Sequence, residues 1–270
     1  MNVAISNIAW RREEAAGVAD LLKELGVKGI EIAPTMVWPK PLEASDSAIR
    51  DHRRFWESRA MRVVAMQSLL YGRPDLTLFE SEAKREETLA YLEGVMSLGG
   101  KLGARALVFG SPKNRFVGNL APEEARAIAV SFFRRAGDLA AKEGTVLCIE
   151  PNPPRYGCDF IRTIEEGRDL VGDVASPGFG LHLDAAAITL SGEKWEEPLA
   201  KAAPGLCHFH ASEPDLAAIG SGRVDHERFG QALRRAGYKN WVSIEMRASQ
   251  DGPNAGRVRA AIERVLRAYG

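Results

Sequence analysis

The sequence is poor in cysteine and contains no long apolar run. Its 270 residues include three cysteines, Cys148, Cys158 and Cys207, and their odd number and spacing match neither a disulfide framework nor a zinc site. Reduced thiols in a cytoplasmic protein are therefore expected. No stretch of about 18 consecutive apolar residues is present, so no membrane span is predicted. The first ten residues also lack the basic and apolar regions of a signal peptide.

Charge of one sign is not in excess either. The chain has 36 Lys and Arg against 36 Asp and Glu, whereas a general nucleic-acid binder needs surplus basic residues to neutralise phosphates. We therefore expect no nucleic-acid partner. A G-x-G-x-x-G turn is missing after the first strand, where Asn7–Trp10 stands, and this disfavours an open dinucleotide-binding sheet. The apolar content of 45 % predicts one large folded domain over residues 1–270.

Short β-rich runs alternate eight times with longer segments of helical period. The strand candidates are Val3–Ala9, Gly29–Ala33, Val63–Ser68, Ala106–Phe109, Val146–Glu150, Gly180–Asp184, Cys207–Ala211 and Trp241–Met246. The helix candidates lie near residues 12–25, 46–59, 80–102, 122–143, 161–172, 195–202, 225–236 and 254–268. Strands that are apolar on both faces suit a parallel sheet buried between helices. Eight such units in about 250 residues predict a single-domain (β/α)8 TIM barrel.

Polar residues end the last four predicted strands, at the face where TIM barrels carry their active sites. They are Glu150, Asp184, His210 and Glu245. Three carboxylates with one imidazole suit one divalent ion, Mn²⁺ first, with Mg²⁺, Co²⁺ and Zn²⁺ as alternatives. Any one acid alone is better explained as a helix cap or an ion-pair partner, but four consecutive strand ends favour a metal site. His208 precedes His210 by two residues and is expected to support the ligands from inside the barrel.

The same strand ends carry a resemblance to a known family. The segments that carry it are Ile149-Glu150-Pro151-Asn152, Leu183-Asp184, His208-Phe209-His210-Ala211-Ser212-Glu213, Gly220-Ser221-Gly222-Arg223-Val224-Asp225, Gly237-Tyr238 and Ile244-Glu245, with Gly29-Ile30-Glu31-Ile32 earlier in the chain. This pattern resembles the xylose isomerase-like TIM-barrel superfamily, in its sugar phosphate isomerase/epimerase group. Ketose 3-epimerases, hydroxypyruvate isomerase and inosose dehydratase are relatives in that group. The resemblance implies that Glu150, Asp184, His210 and Glu245 bind the metal and that Glu150 and Glu245 exchange protons with a sugar carbon.

The implied chemistry is proton abstraction next to a metal-bound carbonyl, through an enediolate that the ion stabilises. Return of the proton on the other face gives epimerisation, return to the neighbouring carbon gives isomerisation, and loss of a β-hydroxyl gives dehydration. The predicted function is therefore a metal-dependent isomerase or epimerase of a sugar or sugar derivative. A dehydratase or lyase that uses the same site, and a sugar-binding barrel without catalysis, stay open as alternatives.

Three positions depart from the ketose 3-epimerase pattern. Ala187 stands where those enzymes have a histidine, Tyr156 where they have a glutamate, and Leu216 where they have an arginine. Ala187 and Leu216 are expected to make the pocket less polar. Substrate binding is assigned instead to residues at or just beyond strand ends: Trp10, Trp38, Gln67, Lys113, Asn152, Tyr156, His182 and Arg247.

Further expectations concern the loops, a nuclease relative, two histidines on helices and the assembly. Arg115 beside Lys113 is a second candidate for an anion, and the segment 33–45 is expected to form one wall of the pocket. The superfamily also includes endonuclease IV, whose three-zinc site needs histidines that this chain replaces with Gln67, Phe109 and Ala187. His52 and His226 fall on helices and are expected to be exposed. Relatives are often dimers or tetramers, and the sequence leaves the oligomeric state open.

Overall fold

Eight parallel strands close into a barrel in the computed structural model, which describes residues 1–270. The strands are β1 Asn2–Ser6, β2 Gly29–Ile32, β3 Arg62–Met66, β4 Ala106–Phe109, β5 Val146–Ile149, β6 Phe179–Asp184, β7 Leu206–Ser212 and β8 Trp241–Glu245. Each strand pairs with the next along the chain, and β1 pairs with β8 to complete the circle. The predicted (β/α)8 barrel is confirmed.

Ten helices surround or cap the barrel. They are α1 Ala15–Glu24, α2 Pro34–Val37, α3 Asp46–Glu57, α4 Glu82–Leu102, α5 Pro122–Lys142, α6 Ile164–Val174, α7 Ala185–Ser191, α8 Glu196–Ala202, α9 His226–Arg235 and α10 Ala255–Tyr269. Short 3-10 turns lie at Asn7–Ala9, Arg12–Glu14, Pro41–Glu43, Lys113–Arg115, Pro154–Tyr156, Ala203–Gly205 and Pro214–Leu216. Eight helices match the predicted ones, whereas α2 and α7 were missed.

Several residues predicted to begin or end helices do so in the structure. The Ser45 and Ser81 hydroxyls accept hydrogen bonds from the third backbone N–H that follows each of them. Gly103 ends α4 with a φ of +84°, a left-handed conformation that costs little without a Cβ. Pro122 opens α5, where its missing N–H would have had no helical partner.

The first strand is shorter than predicted. The sequence favours strand through Ala9, but β1 ends at Ser6 and Asn7–Ala9 forms a 3-10 turn. The Asn7 side chain accepts a hydrogen bond from the backbone N–H of Ala33 at 2.7 Å, just beyond the end of β2. A short polar side chain that bonds to a neighbouring backbone in this way competes with the strand ladder and ends it.

The apolar core lies mainly between the barrel and its helices, where 68 buried residues form one cluster. A separate cluster of six small residues packs in the barrel interior: Ala4, Val64, Ala65, Ala106, Val146 and Cys148. The interior also buries polar side chains, among them Glu31, His182, His208 and His210. None of the helices is long and apolar enough to cross a lipid bilayer.

Candidate metal centre

Parallel pairing brings the acids of the last strands next to one imidazole. The register of β6 and β7 places Asp184 beside His210, and that of β7 and β8 places Ser212 beside Glu245. The Nδ1 atom of His210 lies 3.4 Å from Glu245 Oε2 and 4.0 Å from Asp184 Oδ2. Ligand atoms of these three residues all lie within 4.8 Å of one another.

Glu150 also lies close to His210, together with His182. Its Oε1 atom lies 3.3 Å from His182 Nε2, and its Oε2 atom accepts a hydrogen bond from Asn152 Nδ2 at 3.1 Å. Ligand atoms of Glu150, His182 and His210 also lie within 4.8 Å of one another. Since His210 belongs to both groups, the three acids assigned as ligands from the sequence all lie close to its ring.

The His210 ring is oriented by a buried carboxylate. Its Nε2 atom lies 3.0 Å from both carboxylate oxygens of Glu31, which also accepts a hydrogen bond from the Ser243 hydroxyl at 2.6 Å. An Nε2–H that donates to Glu31 leaves Nδ1 facing Asp184 and Glu245, where a bound cation would take the place of the Nδ1 proton. Nδ1 is buried and has no hydrogen-bond partner. An unpartnered imidazole nitrogen among carboxylates fits a divalent cation, which would satisfy the nitrogen and offset the acids.

Burial and charge move the pKa values of the two carboxylates in opposite directions. Burial, with the nearby charges of Glu150 and Glu245, raises the pKa of Asp184 to about 7. Burial alone would also raise the pKa of Glu150, but the hydrogen bond and charge of His182 outweigh it and lower that pKa to about 2. Without a cation, one acid of the group thus holds a proton near neutral pH while another stays ionised.

Burial and neighbouring charges also set the charges of the histidines in and around the site. Burial lowers the pKa of His182 to about 4, so the ring is neutral at pH 7. For His210 burial is outweighed by Glu31 and Glu245, which raise its pKa well above the usual range. His208 Nε2 lies 3.4 Å from Glu31 Oε1, inside the barrel as expected from the sequence.

Asp184 serves the fold as well as the site. Its Oδ1 atom accepts the backbone N–H of Ala187 at 2.6 Å and caps α7, while the Ser212 hydroxyl donates to Oδ2. Ala187 is expected from the sequence to make the pocket less polar, but it is buried in the first turn of α7, and Ala186 lines the adjoining cavity in its place. Leu216, in contrast, does line the cavity beside Asp184.

Two cavities flank the carboxylates at the open end of the barrel. The polar chamber has a volume of about 440 Å³ and is lined by Glu150, Asn152, Tyr156, Asp184, Ala186, Ser212, Glu213, Asp215, Leu216, Glu245 and Arg247. The inner chamber has a volume of about 220 Å³ and is lined by Gln67, Ser68, Leu69, Leu70, Tyr71, Val108, Phe109, Gly110, Ser111, Glu150, His210 and Glu245. Glu150 and Glu245 line both chambers, so a molecule held between them has room on either side.

Five of the residues assigned to substrate binding lie at or next to these chambers. Asn152, Tyr156 and Arg247 line the polar chamber, and Gln67 lines the inner one. His182 is fully buried and contacts the Glu150 carboxylate, so it lines neither chamber but lies next to a predicted metal ligand. Their roles toward a substrate remain predictions.

The other three assigned residues lie elsewhere. Trp10 is 2 % exposed and packs with its ring centroid 6.4 Å from that of Trp56 on α3. Trp38 meets the His52 ring edge-on at 5.3 Å, and Lys113 is exposed outside both chambers. The apolar rings of both tryptophans are thus used to dock α3 against the loops after β1 and β2.

Three other polar residues are more buried than the sequence suggests. Arg115, a candidate anion ligand, is fully buried and donates to the carbonyls of Phe109 and Glu150, which ties two strand ends together. His52 and His226 are half-buried rather than exposed. His52 accepts a hydrogen bond from Trp56, and His226 bonds to the Tyr269 hydroxyl.

Several residues of the site were missed from the sequence. Leu69, Leu70 and Tyr71 lie three to five residues beyond the end of β3 and line the inner chamber, but they are apolar, whereas the sequence prediction rests on polar residues at strand ends. Ser212 and Ser243 bond to Asp184 and Glu31, contacts that depend on strand register. The position of Leu69–Tyr71 just after a strand end was the available signal.

Fold and site together define a (β/α)8 barrel with a candidate divalent-metal centre at the carboxyl ends of its strands. Comparison with known families gives the assignment: the model of the xylose isomerase-like TIM barrel family matches residues 19–269. The chain belongs to this family.

Individual relatives are more distant. An L-ribulose 3-epimerase from Methylomonas sp. (strain DH-1) is 28 % identical over 130 residues, which are 48 % of this chain and 45 % of that enzyme. The chain thus aligns with less than half the length of this curated relative. The structure of a D-psicose 3-epimerase from Clostridium cellulolyticum H10 has a TM-score of 0.83 at 18 % identity, covering 100 % of this chain and 99 % of that one. A 3-keto-D-glucoside 4-epimerase from E. coli has a TM-score of 0.81 at 20 % identity, covering 99 % of both chains.

Proposed function

We propose that this protein is a divalent-metal-dependent isomerase or epimerase that acts on a sugar or sugar derivative. The observation that carries the proposal is the position of Glu150 and Glu245, which line both chambers beside the unpartnered Nδ1 of His210. Two carboxylates beside one bound molecule can remove a proton from it and return the proton. The names of the relatives, which are sugar epimerases, support the substrate class.

In this proposal Glu150, Asp184, His210 and Glu245 hold one divalent ion, for which Mn²⁺ is the first candidate because most of the donors are carboxylate oxygens. When bound, the ion would withdraw charge from a substrate carbonyl and acidify the adjacent C–H. Glu31 keeps the His210 ring turned toward the ion, and the Ser212 hydroxyl holds Asp184 in place. His182 keeps Glu150 ionised and oriented.

The outcome depends on which carboxylate returns the proton. Glu150 follows β5 and Glu245 ends β8, so the two approach a bound molecule from different strands of the barrel. Removal by one and return by the other would invert a carbon and give epimerisation. Return by the same carboxylate to the neighbouring carbon would give isomerisation. Leu216 in the polar chamber favours a sugar held differently from the ketose 3-epimerase substrates.

The partners proposed are small sugars, with assembly into a homodimer or homotetramer as a further proposal. The three cysteines are unpaired thiols, which supports a reducing, cytoplasmic location.

The test is the uptake of solvent deuterium by ketoses and aldoses incubated with the Mn²⁺-loaded protein in D₂O. We expect exchange of one C–H position next to the carbonyl, and we expect Glu245→Gln to reduce it by at least 100-fold, in line with the usual contribution of a general base. The matched control is Glu263→Gln, an exposed acid on α10, which should keep full exchange. Full exchange in a folded Glu245→Gln variant would refute the proposal. Release of water from the substrate would instead support a dehydratase.

A further inference from the structure

The inner chamber has an apolar wall that the proposed proton transfer does not use. Leu69 and Leu70 are each 5 % exposed and form its buried part. Tyr71 forms its outer edge and is 72 % exposed, the highest value among the large hydrophobic residues that face solvent. A large aromatic side chain left in solvent at the mouth of a site marks a surface suited to an apolar ligand face.

Tyr71 also lines a second cavity farther from the metal centre. This outer groove has a volume of about 540 Å³ and is lined by Thr35, Pro39, Lys40, Pro41, Leu42, Glu43, Tyr71, Gly72, Arg73 and Tyr91. Leu42 is 41 % exposed in it, so the groove adds a second solvent-facing apolar side chain. Because Tyr71 lines both cavities, it joins the inner chamber, which Glu150 and Glu245 also line, to the groove.

Residues that line the groove are held in place. The backbone N–H of Tyr71 donates to Ser68 at 3.0 Å, and Arg73 forms an ion pair with Asp75 at 2.7 Å while its guanidinium lies 4.9 Å from the centre of the Tyr91 ring. Elsewhere in the lining of the groove, Pro39 and Pro41 restrict the backbone. A preformed groove loses little conformational entropy when a ligand binds.

We propose that Tyr71 and the outer groove form a subsite for a second ring joined to the reacting sugar, so that the substrate is a glycoside or oligosaccharide rather than a free monosaccharide. This inference rests on the proposed function, because the reacting ring is placed at Glu150 and Glu245. The C–H face of a sugar ring packs against Tyr71 and Leu42. Its hydroxyls reach the ion pair of Lys40 and Glu43, whose charged atoms are 2.9 Å apart.

The experiment compares D-fructose with two disaccharides that contain the same ketose, lactulose and palatinose. Dissociation constants for the Mn²⁺-loaded protein are measured by isothermal titration calorimetry, and deuterium uptake is followed separately. We expect at least one disaccharide to bind fivefold or more tightly than D-fructose. Tyr71→Ala should abolish this preference, because the second ring then loses the aromatic face on which it packs. Phe116→Ala is the control, since Phe116 is 59 % exposed and lines neither chamber nor the groove.

The two proposals fail in different ways. Equal binding of one-ring and two-ring sugars, binding of none of them, or a preference that survives Tyr71→Ala overturns the subsite. Deuterium uptake from D-fructose with no such preference would keep the proposed function and remove the subsite. Tight disaccharide binding that depends on Tyr71, with no deuterium uptake by any sugar, would support the subsite and refute the proposed isomerase or epimerase activity.

Discussion

Glu31 and His210 form the buried pair around which the candidate site is organised: His210 Nε2 lies 3.0 Å from each carboxylate oxygen of Glu31. The carboxylate is fully buried, and the positive charge of His210 and the contact with His208 outweigh its burial and lower its pKa well below the usual range. Glu31 comes from β2 and His210 from β7, two strands that β1 and β8 separate around the barrel. The contact therefore crosses the interior and sets which ring nitrogen faces the acids.

Glu31→Gln should weaken metal binding without unfolding the protein. The amide keeps most of the shape but removes the charge that orients the ring and strengthens Nδ1 as a donor, and loss of such partners typically costs about 10–100-fold in metal affinity. The measurement is the Mn²⁺ dissociation constant by competition with a chelator, with circular dichroism as a check of folding. Glu82→Gln, an exposed acid at the start of α4, should change nothing. An unaltered Mn²⁺ constant in folded Glu31→Gln would contradict this orienting role.

Asp184→Ala should abolish stoichiometric metal binding. Elemental mass spectrometry is applied to protein that is stripped with chelator, reloaded with Mn²⁺ and desalted. The parent protein should retain about one ion per chain, because its carboxylates and His210 together bind a divalent ion of this class. Asp215→Ala removes an acid from the same chamber that pairs with Arg155 and Arg223, and it should retain the ion. Retention of the ion by both variants would show that the metal site lies elsewhere in the protein. Absence of an ion from all three proteins would contradict the presence of a metal site.

Gly110→Ala should disturb Glu150 specifically. A Cβ at this position would overlap the Oε2 atom of Glu150, so the carboxylate must move. We expect at least a tenfold loss of Mn²⁺ affinity or of deuterium exchange. Gly172→Ala is the matched control on α6, where a Cβ meets nothing within 4 Å, and it should raise the free energy of unfolding by about 0.5–1 kcal/mol. Normal affinity and exchange in Gly110→Ala would show that the position of Glu150 is not critical.

In the metal-free protein, ionisation of Asp184 should reduce stability as the pH rises from about 4 to 7. Folded Asp184 keeps its proton up to a pKa of about 7, whereas the unfolded residue releases it near 3.8. Across that window Asp184 binds more of a proton in the folded state than in the unfolded state, so its contribution to the free energy of unfolding falls with rising pH. Asp184→Asn cannot ionise and should raise the Tm of the metal-free protein by at least about 3 °C at pH 8, since about 1 kcal/mol corresponds to roughly 2–4 °C at this size.

At pH 5 the same substitution should have a smaller effect than at pH 8, because less of the interval between the unfolded pKa near 3.8 and the folded pKa of about 7 has been crossed. Thermal unfolding followed by circular dichroism at both pH values gives the comparison. An equal change of Tm at pH 5 and pH 8 would show that ionisation of Asp184 is not the cause.

Sequence patterns located the strand ends better than the loops between them. The four positions Glu150, Asp184, His210 and Glu245 were found because residues at the ends of parallel strands must share one face of a barrel. The apolar wall of Leu69 and Tyr71 was passed over, since apolar residues after a strand look the same in sequence whether they are buried or line a cavity. Trp10 and Trp38 show the opposite error: the sequence assigns them to substrate binding, but their rings pack against α3.

The sequence by itself determined the barrel, since its alternating apolar runs and helix caps are local signals repeated eight times. It also determined which residue types stand at the strand ends. Only the tertiary structure decided that Glu31 holds the far nitrogen of His210, that Asp184 caps α7, and that Tyr71 borders two cavities. Such contacts join residues as much as 179 positions apart, and they depend on strand register and side-chain direction, which local periodicity does not encode.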